Sequence, residues 1–388
     1  MCRHQTQMQT FFQYLQGDRT IWLIALLLSL FSVLAVYSAT GSLAFQQSGG
    51  NTEYYLFKQI TIVGIGLLLM YGAHLINYNY YSRIAQLLLY ISIPLLLFTL
   101  LFGRDFNDAQ RWLKVPLLNI TFQTSDFAKF ALIMYTARVL SKKREVIKDF
   151  DKGFLPIIAP VVLVCFLIVP ANLSTAAVLF FTCMVLMFIG RVSSRHLLMT
   201  IWIGITALLL FVSIAYMTGR KGRLETWKGR IFNYWSGNAE TGEHYQVQHA
   251  KMAIANGGLL RVAPGKSVQQ NFLPQPYSDY IYAIIIEEYG LLGGMAIMFL
   301  YLAFFYRSIK IFARSPGAFG AFLAVGLSIS LVIQALMNMA VTVDLLPVTG
   351  LNLPLVSMGG TSVLFSSISI GVILSVSRNI EQQEKALI

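Results

Sequence analysis

The sequence predicts an all-α polytopic membrane protein, and three observations predict it. Of the 388 residues, 56% are hydrophobic and 12% charged. The mean hydropathy is positive. The apolar residues gather in continuous runs long enough to span lipid. Continuous runs exclude a transmembrane β-barrel, whose strands alternate, and a soluble domain of this length needs far less apolar surface.

Ten runs read as membrane helices: 21–39, 56–75, 84–102, 127–140, 154–169, 174–189, 197–217, 280–306, 319–341 and 360–376. The first twenty residues are polar, and no small-residue cleavage site follows the first run, so that run reads as a span rather than a removed signal. The fourth run is short, the eighth is long, and a tight turn at Pro170-Ala171-Asn172 joins the fifth to the sixth. The expected organisation is a segment 1–20, a ten-helix domain 21–377 with a long outer loop at 218–279 between spans seven and eight, and a tail 378–388. With the N-terminus cytoplasmic, the inner short segments carry sixteen Lys and Arg and the outer ones five. That bias places both termini inside.

The other eight cations lie in the long outer loop: Arg220, Lys221, Arg223, Lys228, Arg230, Lys251, Arg261 and Lys266. Long loops are exempt from the positive-inside rule. These residues fit either anionic headgroups or an electropositive groove for phosphate, which the arginine fork suits. Cys2, Cys165 and Cys183 offer no disulfide framework, and no His–Cys pair has zinc-ligand spacing.

The ionisable residues of the spans are one-sided. Asp126, Lys129, Asp279, Glu287, Glu288 and Asp344 all fall near the outer ends. Charges inside lipid are costly and mark function or pairing, and a transporter places them near the midplane on repeated halves. The expected site therefore opens outward. Asp279 ends the long loop and is the candidate catalytic carboxylate. Asp126 and Lys129, three residues apart, can pair on one helix face. At about 100° per residue, Glu287 stands about two-ninths of a turn from Asp279 and is expected to floor its cavity. Glu288 is expected to bind a neighbouring helix. Near the C-terminal end, Pro347, Pro354, Gly350, Gly359 and Gly360 predict an ordered outer loop, with backbone N–H groups at the start of the tenth helix able to hold an anion.

These segments together resemble the SEDS family of membrane glycosyltransferases, over about residues 21–378. Ala109-Gln110-Arg111-Trp112, Gln123-Thr124-Ser125-Asp126 and Lys129 are similar to its first signature. Tyr245-Gln246, Gly257-Gly258, Leu273-Pro274 through Asp279, Ala283, Glu287-Glu288 and Gly290 are similar to its second. Gln334, Asn338, Pro347, Thr349-Gly350, Leu353-Pro354 and Ser357 through Ser362 are similar to its third. The wording of 355–362 and 223–230 is nearer the division branch than the elongation branch. This chain departs from the family pattern at Asp126, where a Glu is usual, at the Pro170–Thr175 turn, and at Gln275 and Tyr277, where a Glu and a His are usual.

The resemblance implies polymerisation of lipid II into peptidoglycan at the outer face of the bacterial cytoplasmic membrane, most plausibly at the division septum. Asp279 matches the catalytic aspartate. The substrate-binding set it implies is Arg111, Trp112, Gln123, Asp126, Lys129, Gln246, Glu287, Ser357, Gly359, Gly360, Thr361 and Ser362. It also implies lipid II and undecaprenyl-linked glycan as ligands, a class B penicillin-binding transpeptidase and other division or elongation membrane proteins as partners, and a divalent cation (Mg or Mn) of unassigned ligands. No organic cofactor and no nucleic-acid partner are expected. An elongation-type polymerase and a lipid II flippase are the competing readings.

Overall fold

The computed structural model of the chain describes residues 16–47, 51–106, 109–115, 120–217, 242–259 and 263–386. Its helices begin where short polar side chains can take the first free N–H groups. Asp18 Oδ1 accepts from Thr20 and Ile21 at the start of α1 (Arg19–Ala39). A short α2 (Gly41–Gln47) follows. Asn51 caps α3 (Thr52–Leu75) and Asn77 caps α4 (Tyr78–Phe102), with only Ile76 and Asn77 between the two.

The next segment corrects the all-α expectation. Three antiparallel strands, β1 (Arg104–Phe106), β2 (Ala109–Val115) and β3 (Ile120–Gln123), form a small sheet in the order β1-β2-β3. The run Ile120-Thr121-Phe122-Gln123 has the β-branched and aromatic composition that suits a pleated ribbon. It is too short to compete as a helix, and it pairs Trp112 with Gln123.

Then come α5 (Thr124–Lys142), a wide turn at Phe150–Phe154, α6 (Leu155–Ile168), α7 (Leu173–Ile189) capped by Asn172, and α8 (Ser194–Met217). The outer loop contains a further helix, α9 (Gly242–Gly257). The last three are α10 (Ile281–Arg314), α11 (Ala318–Thr342) and α12 (Gly360–Ala386). Helices therefore stand at all ten expected places. Among the described residues, seven stretches are long and apolar enough to cross a membrane: α1, α3, α4, Phe150–Ile168, α10, α11 and α12; α7 is apolar but shorter.

The bundle has a centre and a periphery. In the most apolar window of α11 and of α12, 78% of residues are buried, against 28% in α3 and α4. The α10 helix is broken at Gly290, whose φ of 73° and ψ of 179° suit glycine alone. The break frees the Leu291 N–H, and the Gly258 carbonyl accepts it at 2.9 Å. A backbone group released inside the bundle is thus paired by protein, as lipid requires.

Candidate active site

Asp279 lies in the turn just before α10, whose first residue is Ile281. It is therefore not on the helix, and helical phase cannot be carried from it to Glu287. The structure gives Glu287 another task. Its Oε1 accepts from the Val268 and Gln269 N–H groups at 3.2 and 3.4 Å, and its Oε2 accepts from the Ser267 hydroxyl. Glu287 is 1% exposed. It fastens the loop that leads to Asp279 onto α10, rather than flooring an open cavity. Glu288 reaches the Ser38 hydroxyl on α1, a neighbouring helix.

The backbone at Asp279 is gripped from the opposite side. Three successive carbonyls each accept a hydrogen bond from the third signature. Met358 N–H donates to Tyr277 at 2.9 Å, Ser357 Oγ to Ser278 at 2.6 Å, and Asn338 Nδ2 to Asp279 at 2.8 Å. Asn338 also donates to the Leu351 carbonyl at 2.7 Å, and Ser357 Oγ accepts from Leu353 N–H at 2.8 Å. The Ser278 carbonyl is buried and that of Asp279 part-buried, so these donors replace solvation the groups have lost.

The first signature reaches the same place through α11. Lys129 Nζ lies 2.8 Å from Asp126 Oδ1 and donates to Gln334 Oε1 at 2.9 Å. Gln334 Nε2 donates to the Asn352 carbonyl at 2.9 Å. Ser278 Oγ then stands 2.9 Å from Asn352 Oδ1 and 3.0 Å from Asp279 Oδ1. A continuous polar chain so runs from Asp126 to Asp279.

Below the Asp126–Lys129 pair is a cavity of about 30 Å³, lined in part by Ser330, Ser362, Ser366 and Ser369. Asp126 Oδ2, buried there, has no hydrogen-bond partner among the described residues. The space and the polar lining suit a water or two.

The other expected residues are placed as follows. Trp112 and Gln123 face each other across β2 and β3. Gln123 N–H donates to Thr361 Oγ1 at 3.2 Å, which ties the sheet to the start of α12. Gly359 packs against Asn352, where a Cβ would come within 2.5 Å of the amide nitrogen. Gly360 faces open space, and Ser362 lines the cavity below the Asp126–Lys129 pair. Gln246 is half-buried on α9, one turn before Ala250 and on the face that packs against α10. Arg111 is on β2, but its side chain lies outside the described residues, as do Arg220, Lys221, Arg223, Lys228, Arg230 and Arg261. Lys251 is engaged with Asp344.

Tyr277, in place of the usual histidine, is half-buried. Burial pushes its phenol up from the ordinary value, with Tyr55 and Asp279 adding to the shift. It remains a neutral hydroxyl beside the carboxylate. Among the described residues no three His, Cys, Asp or Glu gather where they could hold a metal. The protein side chains described therefore do not by themselves build a cation cage.

The sequence places Gln334, Asn338 and Ser278 within the signatures without giving them a task, and gives none to Asn352. The signal was present. Ser330, Gln334, Asn338 and Thr342 recur every four residues on the largely apolar α11, a polar stripe that must find partners inside the bundle.

Comparison with known proteins gives the family and the fold. The FtsW/RodA/SpoVE family, described as cell cycle protein, matches residues 18–382. The chain belongs to that family, the SEDS proteins. It is 32% identical over 368 residues to the stage V sporulation protein E of Bacillus subtilis, covering 93% of this chain and 97% of that one. It is 31% identical to a probable peptidoglycan glycosyltransferase FtsW of Geobacter metallireducens, covering 93% and 94%. Among solved structures, a chain of a peptidoglycan synthase complex superposes with a TM-score of 0.71 at 23% identity, over 94% of this chain and 99% of that one. The rod shape determining protein RodA of Thermus thermophilus gives 0.68 at 22%, over 94% and 97%. These two share the fold.

Proposed function

We propose that this chain is a peptidoglycan glycosyltransferase that polymerises lipid II at the outer face of the bacterial cytoplasmic membrane, in the service of septal wall synthesis. The observation that carries the reading is the convergence of three signature segments, far apart in sequence, on the backbone and side chain of one carboxylate, Asp279. Family membership and the relatives named FtsW support the reaction class. Ten helices and the sixteen-to-five cation bias support ten spans with both termini cytoplasmic.

In the proposed reaction the C4 hydroxyl of an incoming lipid II attacks the anomeric carbon of the lipid-linked glycan. The bond to undecaprenyl pyrophosphate breaks and the configuration inverts. A sugar hydroxyl is a poor nucleophile, and Asp279 takes its proton as the new bond forms. Pyrophosphate is a weak base, so its departure calls for positive charge rather than for a proton. Lys129, tied to the site through Gln334 and Asn352, is one candidate, and Arg111 on β2 is the second. A magnesium or manganese ion would be held chiefly by the pyrophosphate oxygens and would add positive charge there. A class B penicillin-binding transpeptidase would supply crosslinks, in line with the related chain whose complex coordinates polymerization and crosslinking.

The test is Asp279→Ala in protein reconstituted with lipid II and a cognate transpeptidase. Loss of polymer from folded, inserted protein is the expected result. Full polymerisation would remove the base assignment, and movement of lipid II without polymer in the unaltered protein would favour a flippase.

A further inference from the structure

Ser278 carries one hydroxyl proton and has two acceptors within reach, Asp279 Oδ1 at 3.0 Å and Asn352 Oδ1 at 2.9 Å. A hydroxyl donates to one acceptor at a time. The two distances are nearly equal, so neither acceptor holds the proton by geometry alone. The competing amide is itself fixed at both ends. Gln334 Nε2 holds the Asn352 main-chain carbonyl at 2.9 Å. The side-chain nitrogen lies against Gly359, where no Cβ intervenes, and this turns the amide oxygen toward Ser278. The Ser278 backbone is held as well, because its carbonyl takes the Ser357 hydroxyl at 2.6 Å.

We propose that Asn352 is a positioning residue that competes with Asp279 for the single Ser278 proton, and thereby sets how strongly the carboxylate can accept a proton from the sugar hydroxyl. The inference rests on Asp279 as the base. When Ser278 donates to Asp279, the charged carboxylate is favoured and its basicity falls. When Ser278 donates to Asn352, the carboxylate is relieved of that bond and becomes the better base. Asn352 touches no reacting atom, and it acts through Ser278.

The titratable groups that bear on this end of the bundle are few among the described residues. Tyr277 is on the same loop, with Tyr55 of α3 beside it. The Lys129–Asp126 pair on α5 lies at the far end of the polar chain. The α11 helix and the 351–359 loop contribute only amides and hydroxyls here, while Asp344 is engaged with Lys251. Glu287 also faces the 267–269 part of this loop, and His249 of α9 pairs with Gln269, so a shift of the acid limb is assigned to Asp279 by its opposite direction in the two variants below.

Two variants should move that limb in opposite directions. In Asn352→Leu the Ser278 proton has only Asp279 to go to. The acid limb of kcat should move to lower pH by about half a unit to one unit, and the plateau kcat should fall about 3- to 10-fold as the base weakens. KM for lipid II should stay within about twofold, since no substrate contact is lost. In Ser278→Ala the donation disappears, and the acid limb should move to higher pH. Ser278→Thr restores a hydroxyl and should return the limb to its original place.

The measurement is initial polymerisation rate across pH in the full-length protein reconstituted with lipid II and a cognate transpeptidase. Limbs that stay put, or that move the same way in both variants, would overturn the proposal. So would a threonine that fails to restore the limb. Should Asn352→Leu not fold, the Ser278→Ala and Ser278→Thr pair decides the matter alone. An inactive Asp279→Ala with unmoved limbs sinks this inference and leaves the base in place, whereas an active Asp279→Ala sinks the base itself.

Discussion

The two ends of the bundle both use polar contacts between distant segments, but they use different side chains for different work. At the end that carries the terminal segments the contacts are long and charged. Asp18 meets Arg307 at 2.6 Å, Glu381 takes the Gly17 N–H at 2.8 Å, and Arg378 reaches the Leu75 carbonyl at 2.9 Å. Each joins one helix end to another. At the Asp279 end the donors are Asn338, Ser357 and Gln334, neutral amides and a hydroxyl aimed at main-chain carbonyls, and the two that hold the 278–279 backbone, Asn338 and Ser357, are short. Short side chains lose less rotamer entropy on ordering and hold a backbone more tightly. The first arrangement fastens helices together, and the second moulds a loop around a carboxylate.

The sharpest way to break that contrast is Asn338→Leu. Two carbonyls, those of Asp279 and Leu351, lose their donor at once. Leaving two buried acceptors unpaired costs about 2–5 kcal/mol. Thermal unfolding in detergent should drop accordingly, and turnover should fall more than tenfold in the protein that remains folded. A stability loss with unchanged turnover would reduce this end to plain fastening.

Next in size is Gly257→Ala. The α9 helix packs on α10, its Ala250 and Ala253 are fully buried, and a Cβ at 257 would lie 2.0 Å from the Ile286 carbonyl oxygen. A backbone atom cannot step aside, so the helices must separate, at a cost of about 1–3 kcal/mol. The added Cβ would also come within 3.0 Å of the Cα of Glu287, the residue that holds 267–269, and the loop leading to Asp279 should loosen with it. Faster proteolysis within 263–280 would report it; an unaltered digestion pattern would mean that α9 does not brace the site.

How far these features were legible depended on the kind of constraint. Apolar runs specify spans by length alone, so helices stand at all ten expected places. The Asp126–Lys129 pair was legible because helical spacing is local. The sheet at 104–123 was not, since its strands are short and its stability comes from docking on α12 through Thr361. Glu287 was misplaced because Asp279 lies before the helix, where phase has no meaning. The grip of Asn338 and Ser357 on the 277–279 carbonyls spans 59 and 79 residues. Contacts of that separation leave no periodic trace.

At the opposite end, Asp18→Ala should cost about 1 kcal/mol. It removes the cap of α1 and one partner of Arg307, and a lost cap is worth about that much. Turnover should be unchanged, because nothing at this end touches the 277–279 backbone. A kinetic effect there would mean that strain passes along α1 or α10 to the site, for which Ser38–Glu288 is the nearest route.

The smallest expected effect is visible only in pH. Burial raises the Tyr277 phenol above its ordinary value, so the neutral form is the one the fold favours. Its contribution is complete below pH about 10 and is lost only as pH climbs through the raised value. Between pH 6 and 9 the wild-type profile should carry no inflection from this position, and Tyr277→Phe should leave that window equally flat. Tyr277→His introduces a group that titrates near pH 6.5. Burial lowers that value and the Asp279 carboxylate raises it, so a new bend is expected between about pH 5 and 8. A bend in the phenylalanine variant would show that some other group titrates in this window. Its absence in the histidine variant would mean that position 277 is not electrically coupled to the rate.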